Sequence, residues 1–340
     1  MARETLSVRK TIVVTGANSG VGLECCKALL ARDPRLTLVM AGRSPDRLET
    51  EAAVLRRRYP DARVLVEEID LAGRTSVRDA AGRIRAAHPA LDALVCNAGV
   101  QFSSGLTFGE TGAELTFTVN HLGHFLLTNL LVDHMAADGR IVIVASGTHD
   151  PEQRTGMPPP RIRRASEAAY PQTIAEPDGP RLVGPRAYTT SKLCNVLTAY
   201  ELAHRLEALG RRAPTVNAFD PGLTPGTGLA RTYPAPIRAI WSVLLPLLQP
   251  LLARLVARGN VNTPSQSGGN LAWLATDPSV TGVTGKYFER HDAATSSDAS
   301  HDRSLARDLW DLSVELSALS PEDSSLLRTP PAATVTALHG

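Results

Sequence analysis

Lysine is nearly absent from this chain. Of 36 basic residues in 340, four are lysines: Lys10, Lys27, Lys192 and Lys286. Arginine is the default cation, so a lysine kept at a motif position points to work that a planar, always-charged guanidinium cannot do. Cysteine is also sparse. Cys25, Cys26, Cys96 and Cys194 have no zinc-ligand spacing, and they read as reduced thiols of a cytoplasmic protein. No signal peptide is recognised before the first strand. Charge of either sign is not in excess: the formal net charge is +2, which gives no reason to expect nucleic acid as a partner. No uncharged run is long enough to span a bilayer, because the most apolar stretch is interrupted by Pro246 and Pro250. A metal site is not expected either. His121, His124 and His149 have no carboxylate or thiol at ligand spacing and read as packing or loop histidines.

The rest of the pattern is one of alternation. Apolar runs at residues 11–15, 36–41, 63–68, 91–96, 140–145 and 214–219 read as buried parallel strands, with a last strand near 284–288. Helical periodicity falls between them, at about 21–32, 45–58, 74–87, 111–136, 187–209, 264–276 and 302–318. Strands alternating with helices at this spacing predict an α/β fold: a single Rossmann-type, doubly wound parallel sheet flanked by helices, covering residues 1–320. A proline- and arginine-rich insertion occupies 147–187, and residues 321–340 read as a disordered tail.

Two motifs carry chemistry. Thr15-Gly16-Ala-Asn18-Ser19-Gly20-Val21-Gly22 joins the first strand to the first helix. Its glycines allow a tight turn and bring backbone N–H groups close to a pyrophosphate at a helix N-terminus. Far downstream, Tyr188 and Lys192 stand four residues apart, on one face of a helix. A phenol beside an ammonium is a tunable proton donor, and a dinucleotide beside that phenol is a hydride source. Together they indicate an oxidoreductase. Arg43 follows the second strand, where the adenosine ribose would lie; an arginine there suits the 2′-phosphate of NADP, whereas NAD binders place an acid. Asp70-Leu71 ends the third strand, where Asp70 could meet the adenine amine, and Asn97-Ala98-Gly99 ends the fourth, where the backbone could pass the ribose.

Taken with Asn120, Ser146 and Pro221-Gly222, these motifs stand in the order found in the short-chain dehydrogenase/reductase family, which the chain resembles over about residues 10–290. The resemblance implies that Tyr188 is the general acid. Lys192 would lower the phenol pKa and hold the nicotinamide ribose, Ser146 would bond the substrate carbonyl, and Asn120 would help hold a water chain to Lys192. Thr227 would contact the nicotinamide carboxamide, with Pro221 and Gly222 beside it. NADPH/NADP is the implied cofactor, and a homo-oligomer formed through the helices at 111–136 and 187–209 is ordinary for the family. Within the family, Asn120-His-Leu-Gly-His-Phe-Leu-Leu127, Thr148-His-Asp-Pro151 and Tyr188-Thr-Thr-Ser-Lys-Leu-Cys-Asn195 resemble light-dependent protochlorophyllide reductases. Gly285-Lys-Tyr-Phe288 with Ser296-Ser297 resembles retinol-dehydrogenase-like enzymes, and Leu223 stands where the pigment reductases carry a cysteine.

The segment 237–256, inside a substrate-side piece spanning 234–262, is unusually apolar. Three roles are open to it: a lid over a lipophilic substrate, a peripheral membrane contact, or packing in the core or at an interface. The leading expectation is an NADP(H)-dependent enzyme acting on a lipophilic carbonyl or alcohol. Light-driven reduction of a pigment double bond and a catalytically idle NADPH-binding protein are the alternatives.

Overall fold

The computed structural model describes residues 9–174, 178–210, 214–228, 232–247 and 260–328. Eight strands form one sheet in the order β3-β2-β1-β4-β5-β6-β7-β8. They are β1 (Thr11–Thr15), β2 (Thr37–Gly42), β3 (Arg63–Glu68), β4 (Leu91–Cys96), β5 (Met135–Val144), β6 (Thr215–Asp220), β7 (Lys286–Glu289) and β8 (Asp292–Ala294). All neighbours pair in parallel except β7 and β8. The central strands are buried on both faces, so they read as unbroken apolar runs. Alternate residues serve opposite sides: Val13 and Leu94 join one core, Ile12 and Val14 the other. The strand order reverses between β1 and β4, and the crevice at the carboxyl ends of those strands is where this architecture binds ligands.

Several boundaries differ from the sequence expectation. The helix predicted for 111–136 begins at Leu115, passes through a π-turn at Thr118–Leu122 and continues as Gly123–Leu131. Before it the chain makes a turn through Gly112, whose φ is +75°. The Glu114 carboxylate then caps the helix by accepting the Phe117 N–H at 2.8 Å. The Tyr188 helix starts at Pro180 rather than 187 and runs to Ala208, with Pro185 inside it. The insertion is therefore partly helical, with a further helix at Ala165–Ala169. The last two strands, β7 and β8, form a hairpin where one strand was foreseen. Residues 321–328 are not a loose tail: Asp323 takes the Arg78 guanidinium at 2.8 Å and Leu326 is buried. The rest of the predicted tail lies outside the described residues, as do 248–259 of the substrate-side piece. Its described part comprises Ala235–Ala239, a π-turn at Ile240–Leu244 and Leu245–Leu247. Among the described residues no helix is long and apolar enough to cross a membrane.

The helix Arg303–Ser317 packs against the helices Pro180–Ala208 and Gly123–Leu131. Trp310 meets Phe125 edge-on, with ring centroids 4.8 Å apart, and sits 4.2 Å from the Arg205 guanidinium carbon. Ser313 bonds His121 at 2.8 Å.

Gly123 sets the height of the helix Gly123–Leu131 over the crevice. A Cβ at this position would lie 2.3 Å from the Leu71 carbonyl oxygen, and backbone on both sides leaves no flexible atom to yield. Gly123→Ala is expected to cost about 1–3 kcal/mol through overpacking and to lower Tm by several degrees. An unchanged thermal melt would show that the contact is soft.

Candidate active site

The site is built on β1 and β4. Thr15 ends β1, and its hydroxyl oxygen accepts the N–H groups of Asn97 and Ala98 at 2.9 and 3.0 Å. The Asn97 side-chain amide donates to the Thr15 carbonyl at 2.9 Å. These bonds fix the glycine turn against Asn97-Ala98-Gly99. Gly16 and Gly20 have φ of +66° and +56°, which glycine adopts without strain. At Gly22 a Cβ would fall 2.5 Å from the Gly16 carbonyl oxygen. The helix Gly20–Arg32 starts here, with no acidic residue in its first turn and no side-chain cap from Ser19.

A cavity of about 560 Å³ runs from this turn along the carboxyl ends of the strands. Gly16, Asn18, Ser19, Gly20, Val21, Gly22, Arg43, Asp70, Leu71, Asn97, Ala98, Gly99, Ser146, Tyr188, Lys192, Pro221, Gly222 and Thr227 all line it. Every predicted site residue is thus brought to one space, except Asn120. Its side chain lies behind the wall. Oδ1 accepts the Val100 N–H at 2.7 Å, and Nδ2 donates to the Val100 carbonyl and to Ser191 Oγ, both at 3.0 Å. The expected water-holding asparagine clamps backbone here. Thr227 crosses over the glycine turn, 3.6 Å from where a Gly20 Cβ would stand.

The residues present fit a dinucleotide. The Gly16-to-Gly22 cradle leaves room that side chains would fill. Arg43 and Arg47, both exposed, line the same end, and neither has a hydrogen-bond or ion-pair partner among the described residues. Two free guanidiniums at that end make it attractive to phosphate.

At the other end stand the titratable groups. Lys192 Nζ donates to the Val144 carbonyl at 3.0 Å, and Asn195 Nδ2 donates to the same oxygen at 3.0 Å. Burial lowers the Lys192 pKa to about 8, opposed by the Asp220 carboxylate. Burial also holds the Tyr188 phenol above its ordinary value. The neighbouring Ser146 hydroxyl pulls it down, while Asp220 and Tyr233 push it up. Desolvation is the largest of these influences, and the Lys192 ammonium stands 5.6 Å from the ring centre. The Thr148 hydroxyl, on the same wall, is buried with no partner among the described residues.

Three histidines have defined structural duties. His149 Nδ1 donates to the Ser146 carbonyl at 2.7 Å, and its Nε2 accepts the Ser297 N–H at 3.1 Å, so the neutral ring fixes the loop carrying Ser146. His124 bonds Thr15, and His121 bonds Ser313. The four cysteines are buried and unpaired. Cys194 lies in a helix-packing cluster and does not line the cavity.

Met157, from the insertion, and Trp241, from the apolar segment, also line the cavity, and sequence reasoning missed Asp220, Gln101, Gln153 and Tyr233 on its wall. Gln101 Nε2 donates to the Tyr233 hydroxyl at 2.6 Å, closing one rim. Trp241 Nε1 donates to the Thr227 carbonyl at 3.1 Å. The missed residues carry no motif.

Comparison with known proteins agrees with this geometry. Residues 10–156 match the short chain dehydrogenase family. The chain is 34% identical to retinol dehydrogenase 14 of Mus musculus, over 89% of this chain and 84% of the relative. It is 32% identical to protochlorophyllide reductase A of Arabidopsis thaliana, over 94% and 81% respectively. The fold is shared with the L-sorbose reductase of Gluconobacter frateurii, solved with NADPH and L-sorbose: TM-score 0.57 and 19% identity, covering 82% of this chain and 94% of that one. The chain belongs to the short-chain dehydrogenase/reductase family of oxidoreductases, in the branch that holds retinol dehydrogenase 14 and protochlorophyllide reductase.

Proposed function

We propose that the protein is an NADP(H)-dependent oxidoreductase that transfers hydride to or from a lipophilic carbonyl or alcohol, with Tyr188 as general acid and base. The observation that carries this reading is the convergence of Ser146, Tyr188 and Lys192 on the wall of the cavity that begins at the glycine turn. Gly16 to Gly22 and Arg43 would hold the dinucleotide phosphates, Asp70 the adenine, and Asn97 to Gly99 the ribose. Pro221, Gly222 and Thr227 would meet the nicotinamide end. The bound nicotinamide supplies or accepts the hydride. Ser146 orients the substrate oxygen by a hydrogen bond. Tyr188 gives that oxygen a proton in reduction and takes one back in oxidation. Lys192 supports the phenolate that is left, which matters because burial disfavours it.

An apolar substrate is supported by the far wall, where Met157, Ile237 and Trp241 line the cavity. A relative named for retinol, an apolar alcohol, supports it too. The outer face of the same segment is apolar: Ile240, Val243 and Leu244 are exposed, Val243 at 61%. A lid of this kind suits a substrate delivered from a membrane surface. The likeness to protochlorophyllide reductase favours, as a second reading, light-driven reduction of a pigment double bond at the same phenol.

Two outcomes test the leading reading. Tyr188→Phe is expected to reduce carbonyl turnover about a thousandfold while leaving NADPH affinity, read by fluorescence titration, close to wild type. Turnover surviving the change would sink the mechanism. Arg43→Ala is expected to weaken NADPH binding about tenfold with NADH affinity unchanged; an equal effect on both coenzymes would remove Arg43 from the 2′-phosphate.

A further inference from the structure

We propose that Asp220 is a positioning residue that keeps the Tyr188–Lys192 pair loaded with protons, so that the resting site is poised to protonate a substrate oxygen. This rests on reading that pair as the proton-handling one. The strand register places the carboxylate. Val144, whose carbonyl holds Lys192, pairs with Phe219. Ala145 N–H donates to the Phe219 carbonyl at 2.8 Å. Asp220 therefore follows directly beside Ala145 and Ser146, and a Cβ on Gly147 would lie 3.0 Å from its Oδ2.

The carboxylate is buried, 3% exposed, and lines the cavity. Its orientation is fixed at both oxygens. Oδ1 accepts the Gly222 N–H at 2.9 Å, and Oδ2 accepts Asn260 Nδ2 at 3.1 Å. Asn260 is itself held, since its Oδ1 accepts from Asn262 Nδ2 at 2.9 Å.

The other titratable groups facing this corner come from several elements. Tyr287 and Glu289 lie on β7, His149 and Asp150 follow β5, Tyr233 stands on the rim, and His124 comes from the helix Gly123–Leu131. Burial keeps His124 and His149 neutral. Glu289 is bonded by Gln153 Nε2 at 3.1 Å, and Asp150 caps the Glu152 N–H at 2.9 Å. Asp220 is the carboxylate whose field reaches both members of the pair. A negative charge there favours the ammonium of Lys192 and disfavours the phenolate of Tyr188. Both effects keep protons on the pair. The site is then ready for reduction near neutral pH and needs alkali to begin an oxidation.

The scarcity of lysine makes this measurable without substrate or coenzyme. Lysine labelled with ¹³C at Cε gives signals from four residues, and Lys192→Arg identifies the one in the site. In the full chain the Lys192 signal is expected to titrate near pH 8. In Asp220→Asn its midpoint is expected to fall by about one unit. Asp220→Ser is a second neutral variant whose hydroxyl can still accept the Gly222 N–H, and it should show the same fall. Asp220→Glu keeps the charge and should stay near wild type. Melting curves confirm that each variant is folded. An unchanged midpoint in either folded neutral variant, or an equal fall in Asp220→Glu, overturns the proposal. A chain that turned over no carbonyl would overturn the proposed function and leave this titration standing.

Discussion

Much of the site depends on one hydroxyl. Thr15 Oγ1 accepts two backbone N–H groups, from Asn97 and Ala98, and pairs with His124 Nε2 at 2.8 Å. The protons can be assigned. His124 Nδ1 faces the Asn120 carbonyl at 3.1 Å, which only accepts, so Nδ1 carries the hydrogen. Burial lowers the His124 pKa to about 4, so Nε2 is bare and Thr15 donates to it. From there the chain of bonds continues. Asn120 Nδ2 donates to Ser191 Oγ, and Ser191 donates to the Tyr188 carbonyl at 2.7 Å. A buried, fully paired polar path thus ties the glycine turn to the helix that carries the phenol. Such a network is rigid when every member is satisfied, and costly when one is lost.

The helix between these two halves is specialised for that purpose. Its first section is a π-turn that contains Asn120, His121 and Leu122, and its next residue is Gly123, pressed on the Leu71 carbonyl. Extra backbone width in a π-turn commonly marks a functional position. Here Asn120 clamps the Val100 backbone behind the cavity wall and His124 bonds Thr15, while His121 bonds Ser313 on the helix Arg303–Ser317. One stretch of helix serves the crevice, the core and the C-terminal packing together.

The parts of this design that could be read from the sequence are those written in local pattern. Ile12 to Val14 reads as a buried strand because both neighbours in the row are apolar. Gly16, Gly20 and Gly22 read as a phosphate turn because no other residue suits that backbone, and Tyr188 and Lys192 because their spacing places them on one helix face. What was hidden depends on distant packing. Asp220 before Pro221-Gly222 looks like a turn former; only the register of β5 and β6 shows that it sits beside Ser146. Pro185 looks like a helix breaker, yet the helix begins at Pro180 and Gly184 seats it closely over the Phe102 carbonyl. Spacing names the ammonium beside the phenol but says nothing about burial, the largest influence on Tyr188.

The cavity joins a phosphate-seeking end to an apolar end through a buried phenol, and the central claim is that hydride and proton meet there on a lipophilic carbonyl. The most direct test is NADPH oxidation by the purified protein, followed by absorbance in the dark, with hydrophobic aldehydes, ketones and retinoids. The account predicts turnover in the dark with at least one apolar carbonyl, at a rate that illumination does not change. NADPH that binds but is never oxidised, or is oxidised only under illumination, would contradict it.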